Sequence, residues 1–268
     1  MLEVVSINPT NGTPQQTRVA AALGAEASSV RPQAAMAAGS APDPALLETL
    51  VERCAVEPDF FVRDMLTWAL IRLPADLTLP RLREELVSGR AQARSQALHT
   101  LSKTGDRRAY AWITPALLHD ADDEVARTAW RVAVALVPEE DGAARETLIG
   151  DLVRQLGRGD RNVRLSLSRA LVDLGDEVRP ALEKAAADPD PRVATHAAAT
   201  ELLRRDPEAG FDAAVEEAKR VVALGPGRLA AAEEAAATAR PGPTGHGTDE
   251  RAGAAVPGSA DREGGGAC

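Results

Sequence analysis

From residue 30 onward, apolar and small side chains recur at intervals of three and four residues. The clearest segments read VRPQAAMAA, VRDMLTWAL, ARSQALHTL, VARTAWRVA, VRLSLSRAL and VATHAAATE, and they start at Val30, Val62, Ala93, Val125, Val163 and Val193. Counting each start as position 0, the apolar residues fall at positions 0, 4, 7 or 8 and often 11, which is one face of an α-helix. Each segment therefore predicts an amphipathic helix, called here the second helix of a repeating unit.

Helix start and stop signals stand at matching places around these segments. Three residues before the start comes an aspartate suited to cap the first turn: Asp59, Asp122, Asp160 and Asp190. About a dozen residues after the start comes a helix breaker: Pro74, Gly105, Pro138, Gly175 and, slightly later, Pro207. Caps, breakers and periodicity agree on the same set of helices.

Shorter amphipathic stretches lie between the second helices and predict a first helix for each unit. They cover residues 45–54, 79–87, 109–118, 146–156 and 179–187, with a less regular one at 17–23 and a closing helix at 211–224. A helical pair of about thirty residues cannot bury its apolar face alone, so neighbouring pairs must stack. The sequence predicts an all-α fold, an α-solenoid of about six stacked antiparallel helical pairs over residues 16–224.

The units also carry the motif Asp-x-x-Val-Arg-x-x-Ala-x-x-Ala-Leu, which is clearest in DRNVRLSLSRALVDLGD around Val163. This motif resembles the short HEAT repeat, the bilin-lyase HEAT-like repeat of armadillo-type superhelices, over about residues 27–205. The stretches CAVEPDFFVRDMLTWAL and AQARSQALHTLSKTGD are similar to small actinobacterial HEAT-repeat proteins. The resemblance implies a solenoid that binds partners and does not imply a reaction.

The amino-acid composition of the two ends of the chain differs from that of the predicted solenoid. Residues 1–15 lack periodicity and predict a loosely ordered N-terminus. Residues 225–268 are rich in Gly, Ala and Pro and predict a disordered tail, because they carry too little apolar surface to offset chain entropy. With no signal peptide, no membrane span and two distant cysteines, Cys54 and Cys268, we expect a cytoplasmic and monomeric protein.

The net charge and the lack of known catalytic motifs exclude several classes of function. The net charge is -9, and residues 44–224 hold 25 basic against 31 acidic side chains, so we expect no nucleic-acid partner. No HExxH, phosphate loop or nucleophile elbow is present, and the four histidines, at 99, 119, 196 and 246, have no metal-ligand spacing. We therefore expect no metal and no cofactor.

Two rows of residues along the second helices have an expected role, one of them formed by arginines and the other by residues that point away from the core. At position 1 stand Arg31, Arg63, Arg94 and Arg164, which we expect to pair with acidic residues near the turns, such as Asp59 or Asp160. Positions 2, 6 and 9 point away from the core, and position 6 runs Met36, Trp68, His99, Arg131, Arg169 and Ala199. Second helices line the concave side of HEAT-like solenoids, so the resemblance implies that this row faces a groove.

The predicted function is a non-catalytic scaffold that binds an acidic or extended segment of a partner protein. The hypothetical contact residues are Trp68, His99, Arg127, Arg131 and Arg169. The alternative for Trp68 is partial burial in the core. Trp112 and Trp130 are expected to fill space between alanines, and Phe60 and Phe61 to pack beneath the preceding turn.

Two other functions stay open at this stage. One is a HEAT-like enzyme, either bilin-lyase-like or a DNA glycosylase using Trp68 with Asp64, or Trp130 with Asp122 or Asp123. The other is an accessory regulator of a particular enzyme or transcription factor.

Overall fold

The computed structural model describes residues 13–224, and within that range every regular element is a helix. The α-helices are α1 (Pro14–Leu23), α2 (Val30–Ser40), α3 (Leu47–Cys54), α4 (Phe60–Leu70), α5 (Ala75–Glu85), α6 (Ala91–Thr104), α7 (Pro115–Leu118), α8 (Asp123–Leu136), α9 (Gly142–Val153), α10 (Arg161–Asp173), α11 (Arg179–Ala186), α12 (Pro191–Arg205) and α13 (Phe211–Leu224). Short 3₁₀ helices cover Pro44–Leu46, Arg107–Trp112, Gly175–Val178 and Pro207–Ala209. None of the helices in residues 13–224 has the length and apolar character needed to span a membrane.

The predicted tail at 225–268 and most of the predicted N-terminal segment at 1–15 lie outside the described residues. Residues 13–15 are described, and there Thr13 caps α1, which begins at Pro14.

The helices pack as pairs, and the pairs lie side by side. Each first helix contacts the second helix that follows it, from α1 with α2 through to α11 with α12. Each second helix also contacts the next one, in the order α2, α4, α6, α8, α10 and α12, and α13 closes against α12. This arrangement is consistent with an α-solenoid.

The predicted caps are confirmed. The carboxylates of Asp59, Asp122, Asp160 and Asp190 each accept first-turn backbone N–H groups of the helix that follows. Gly105 ends α6 in the left-handed conformation with φ +65°, which glycine adopts without steric cost. Local chemistry therefore sets where the second helices begin and end.

The first helices differ more from the prediction. The single helix expected at 109–118 is instead a 3₁₀ helix, Arg107–Trp112, followed by the one-turn helix α7. Pro115 has no N–H to continue a helix, and the residue before it, Thr114, is extended with ψ 161°. Helix α5 begins at Ala75, four residues earlier than predicted, and contains Pro80.

Most inward positions of the second helices form the core as predicted, but Val30, at position 0 of α2, is exposed. In α8, Val125, Ala129, Val132, Ala133 and Leu136 are all buried. The buried apolar residues form three clusters, within residues 23–73, 79–197 and 199–218. The first break in the core lies between α4 and α6, and the second lies along α12, where Ala197 belongs to the middle cluster and Ala199 to the last one.

The arginines at position 1 are structural, and Arg31 and Arg94 pair with acidic residues near a turn as predicted, although these are not the Asp59 and Asp160 given as examples. Arg31 makes two hydrogen bonds of 2.8 and 2.9 Å to the buried carboxylate of Glu57, not Asp59. Arg94 binds Asp120 in the same way. The acid in each pair lies two residues before a capping aspartate and also accepts the backbone N–H of that aspartate, so the pair joins one helical pair to the next.

The other two arginines at position 1 contact main-chain carbonyls. Arg63 donates through Nη1 to the carbonyls of Glu57 and Pro58, both at 2.9 Å, and Arg164 donates to the carbonyl of Asp160. These groups belong to the turn that precedes each helix. The arginine therefore fastens the turn to its own helix even where no acidic partner is available.

Between α8 and α10, the arginine and the acidic residue of this ion pair have exchanged places. Ala126 occupies position 1 of α8, and Arg158 occupies the place two residues before the cap Asp160, where Glu57 and Asp120 stand in other units. Arg158 reaches back to the carboxylate of Asp123 at 2.8 Å and to the carbonyl of Asp120. The link between neighbouring pairs is kept, with the cation on the opposite side.

Candidate protein-binding groove

A groove with a volume of about 330 Å³ opens between the N-terminal halves of α4, α6 and α8. Its lining residues, called here the groove, are Phe60, Arg63, Asp64, Ala91, Gln92, Ser95, Gln96, His99, Asp122, Glu124, Thr128 and Arg131. All of these except Asp122 belong to second helices, and Asp122 caps one. The groove therefore lies on the second-helix side of the stacked pairs.

The structure brings together part of the predicted outward row. His99 and Arg131 both line the groove, together with Asp64, which stands at position 2 of α4. Met36 on α2 and Arg169 on α10 are exposed, as predicted. Ala199 is fully buried against α13, so the prediction was wrong for the last member of the row.

Trp68 lies apart from the groove and is half-buried. Its ring rests on Gly39 of α2 so closely that a Cβ at residue 39 would come within 2.1 Å of the ring. The Arg72 guanidinium lies 5.2 Å from the ring centroid and donates to the carbonyl of Gly39 at 2.6 Å. Trp68 thus joins α4 to α2, which fits the alternative of partial burial.

Arg127 also lies outside the groove lining. It is half-buried on α8, and its Nη1 is 3.1 Å from Glu124. The pKa of Asp160 on the next unit is lowered, first by the hydrogen bond from the Val163 N–H and to a smaller extent by the charge of Arg127. Arg127 therefore acts on the electrostatics between α8 and α10.

Positive charge surrounds His99 inside the groove. Burial lowers the pKa of His99, and the nearby charges of Lys103 and Arg131 lower it further, while Asp64, 3.8 Å away, opposes them. Neutral imidazole is therefore favoured at neutral pH. Two cations, Lys103 and Arg131, thus act on His99 against one nearby carboxylate, Asp64.

Several cations on this side have no acidic partner. Among residues 13–224, no carboxylate lies within 4.0 Å of the charged groups of Lys103, Arg131 or Arg169, all of which are exposed; the contacts that do occur include a hydrogen bond from Arg131 to Thr128. Most other arginines of the described chain form ion pairs. These three therefore present charge that the folded chain itself does not neutralise.

Two glutamines supply polar groups on the α6 wall. Gln92 donates its amide N–H groups to the carbonyls of Cys54 and Glu57, and Gln96 donates to the hydroxyl of Thr67. The two carbonyls accepting from Gln92 fix which end of its amide is the nitrogen. The two amide oxygens make no hydrogen bond within residues 13–224, so they are available to accept N–H groups from a bound chain.

The buried side chains of Ser168 and His196 are as close as a catalytic pair, but the histidine ring is protonated on the atom that faces the serine. His196 Nε2 lies 3.0 Å from Ser168 Oγ. However, the Gly157 N–H donates to His196 Nδ1, so the ring proton is on Nε2, and Nε2 faces the carbonyl of Arg164. A protonated Nε2 cannot accept the serine proton, and Ser168 is fully buried. The pair is structural.

Of the two tryptophans suggested for a glycosylase-like site, Trp130 is unsuitable because it is buried. Trp130 is completely buried and donates from Nε1 to the carbonyl of Leu118 at 2.7 Å, so it fills the core as predicted and cannot contact a base. Trp112 is half-buried against the same core cluster. Within residues 13–224, no three His, Cys, Asp or Glu side chains are grouped so that they could hold a metal ion.

Phe60 is the groove residue that the sequence interpretation misplaced. Phe60 and Phe61 do not pack beneath the preceding turn; they are 72% and 58% exposed. The sequence contains the information that predicts this exposure. Asp59 caps α4, and Phe60 stands two residues before the inward Val62, a separation of about 200° around a helix. The helical period alone placed Phe60 on the outer face.

Comparisons with known proteins leave the family open. No family model matches the chain, and no curated protein matches it. Among solved structures, a crystal structure of an engineered protein is similar with a TM-score of 0.39 and 18% identity, covering 78% of this chain and 98% of that one. The complex of CpcE and CpcF of phycocyanin lyase from Nostoc sp. PCC7120 is similar with a TM-score of 0.30 and 20% identity, covering 82% and 98%. Both TM-scores are low, so neither likeness bears on function.

Proposed function

We propose that residues 16–224 form a HEAT-like α-solenoid of about six repeats that acts as a non-catalytic protein-interaction module. The binding surface is the second-helix side between α4 and α10, and the partner contributes an extended segment with acidic side chains. The observation that carries the proposal is the set of exposed cations, Lys103, Arg131 and Arg169, that lack a carboxylate partner in the described chain.

The charge pattern supports an acidic ligand. Surface cations that are paired within the chain attract a ligand weakly, whereas unpaired cations beside a groove keep their full attraction. The groove lining also holds three carboxylates: Asp122 accepts the N–H groups of α8, Glu124 is paired with Arg127, and Asp64 lies 3.8 Å from His99, so the acidic segment must reach the cations and avoid Asp64. Nucleic acid fits this surface less well, because its binding depends on many clustered Lys and Arg side chains, whereas a short acidic segment needs only a few cations.

The polar wall of the groove supports an extended ligand. The amide oxygens of Gln92 and Gln96 can accept main-chain N–H groups of a bound segment. Ser95 and Thr128, whose hydroxyls are 3.2 Å apart, bridge α6 and α8 along the same wall. A segment that crosses from α4 to α8 would meet these groups in turn.

Two lysines give a matched test of this proposal. Lys103 and Lys184 are both exposed, lie in the last turn of a helix and have no carboxylate within 4.0 Å in the described chain, but only Lys103 lies near His99. A fluorescein-labelled peptide of alternating Glu and Ser would be titrated by anisotropy into the wild type, K103Q, R131Q and K184Q.

We expect K103Q and R131Q to weaken binding by roughly threefold to tenfold, K184Q to leave it unchanged, and added salt to weaken it in the wild type. Circular dichroism would check that each variant is folded. Equal affinity of all four proteins, or binding that ignores salt, would show that the second-helix side is not an acidic-segment site.

A further inference from the structure

The groove ends on an aromatic ring that the chain leaves uncovered. Phe60 is 72% exposed, and among the large apolar side chains described in residues 13–223 only Val87 is more exposed. Because burying an aromatic ring removes a large apolar area from water, an exposed phenylalanine beside a groove is a strong potential contact. This ring adds an apolar element to a surface so far described by its charges.

The ring is held in place by its surroundings. Asp59 caps the first turn of α4 with hydrogen bonds to the N–H groups of Phe61 and Val62, which fixes the backbone at Phe60. The Arg63 guanidinium lies 5.7 Å from the centroid of the Phe60 ring and is itself held by two carbonyls through Nη1. A partner that binds here therefore meets a preorganised aromatic and cationic surface, which reduces the entropic cost of binding.

Arg63 also has unused hydrogen-bonding capacity. Its Nε and Nη2 make no hydrogen bond within residues 13–224, and no carboxylate of that range lies within 4.0 Å of it. At the other end of the groove stands Arg131 on α8. The groove thus offers an apolar contact with one adjoining cation, and a second cation two helices away.

From this arrangement we infer that the groove recognises a segment in which one large apolar side chain packs on Phe60 and acidic residues on its flanks reach Arg63 and Arg131. Adjacent packed helices are about 8–10 Å apart, so α4 and α8 are separated by roughly 16–20 Å. An extended chain covers about 3.3 Å per residue. The apolar residue and the farther acid are therefore about five or six residues apart.

This inference rests on the proposed function and adds the apolar anchor to it. Its test uses two fluorescein-labelled peptides, one of alternating Glu and Ser and one in which a central Ser is replaced by Phe. Phe61 provides a matched control, because it is an exposed phenylalanine on the same helical turn but does not line the groove. Both peptides would be titrated into the wild type, F60S and F61S.

We expect the Phe-containing peptide to bind the wild type and F61S about tenfold more tightly than the Ser peptide, and this gain to disappear in F60S. A gain that is absent in the wild type, that survives in F60S, or that is lost equally in F60S and F61S would overturn the inference. These outcomes differ from failure of the proposed function, in which the Ser peptide itself shows no dependence on Lys103 or on salt.

Discussion

The stability of this protein should depend on pH because His196 is buried as a neutral ring. Burial, the largest cause, lowers the pKa of His196 to about 4 from a usual value of 6.5, against a smaller opposing effect of its hydrogen bond to the carbonyl of Arg164. The geometry gives the same direction. Protonating Nδ1 would set a second N–H against the N–H of Gly157, which already donates to that atom at 3.0 Å.

The folded pKa lies below the unfolded one, so the folded state resists protonation that the unfolded state accepts. The contribution of His196 to stability is therefore complete above pH 6.5 and is lost as the pH falls from 6.5 towards 4. A difference of about 2.5 pKa units corresponds to about 3 kcal/mol over the whole range, of which about 1.3 kcal/mol is lost between pH 7.5 and 5.5.

The assay is urea unfolding followed by circular dichroism at pH 7.5 and pH 5.5, both above the isoelectric point of about 5.1. We expect H196Q to be less stable than the wild type at pH 7.5 but to lose less stability on acidification, by about 1.3 kcal/mol. His99, whose pKa is also lowered by burial, acts in the same direction, and H99Q measures its share. If the wild type and H196Q lose the same free energy over this range, His196 is not neutral and buried as described.

Three further substitutions test individual contacts by urea or thermal unfolding. E57A leaves Arg31 buried without its partner and should destabilise the fold by about 3–5 kcal/mol, whereas a loss of under about 1 kcal/mol would show that the pair is solvated. G39A puts a Cβ within 2.1 Å of the Trp68 ring and should cost about 1–3 kcal/mol with a change in tryptophan fluorescence; an unchanged spectrum would contradict that contact. D122A removes the cap of α8 and should cost about 1 kcal/mol, a result that D122N should largely restore.

The second helices were predictable because short-range chemistry determines them. A cap such as Asp160 acts on N–H groups two or three residues away, and a breaker such as Gly105 acts on its own backbone. The periodic inward positions follow from the geometry of one helix. All of this information lies within about fifteen residues of sequence, so it can be read without knowing the fold.

The contacts that the sequence did not reveal are those between distant residues. Arg31 pairs with Glu57 across 26 positions, and Trp68 rests on Gly39, which is visible in the sequence only as one glycine among many. Whether His99 and Arg131 share a groove depends on the rotation of α6 against α8, which a repeat period does not specify. The candidate site could therefore be predicted as a row of residues, but not as a groove with Phe60 at its end.

Polar contacts between neighbouring second helices also explain how that groove keeps its shape. In two of them, a hydroxyl at position 5 of one second helix meets polar side chains at positions 3 and 7 of the next: Thr67 with Gln96 and Thr100, and Ser168 with His196 and Thr200. Apolar side chains tolerate sliding of one helix along another, but a slip here would leave several buried polar groups unsatisfied, at about 1–3 kcal/mol each.

The polar contacts therefore fix the register between α4 and α6 more sharply than leucine packing would. Gln96 belongs both to that contact and to the wall of the groove, where its amide nitrogen holds Thr67 and its oxygen remains unbonded in the described chain. The same side chain that sets the register of the two helices thus sets the spacing between Phe60 on α4 and His99 on α6. A binding surface assembled from separate helices requires such a fixed register, since a slip of one turn would move each contact by about 5.4 Å.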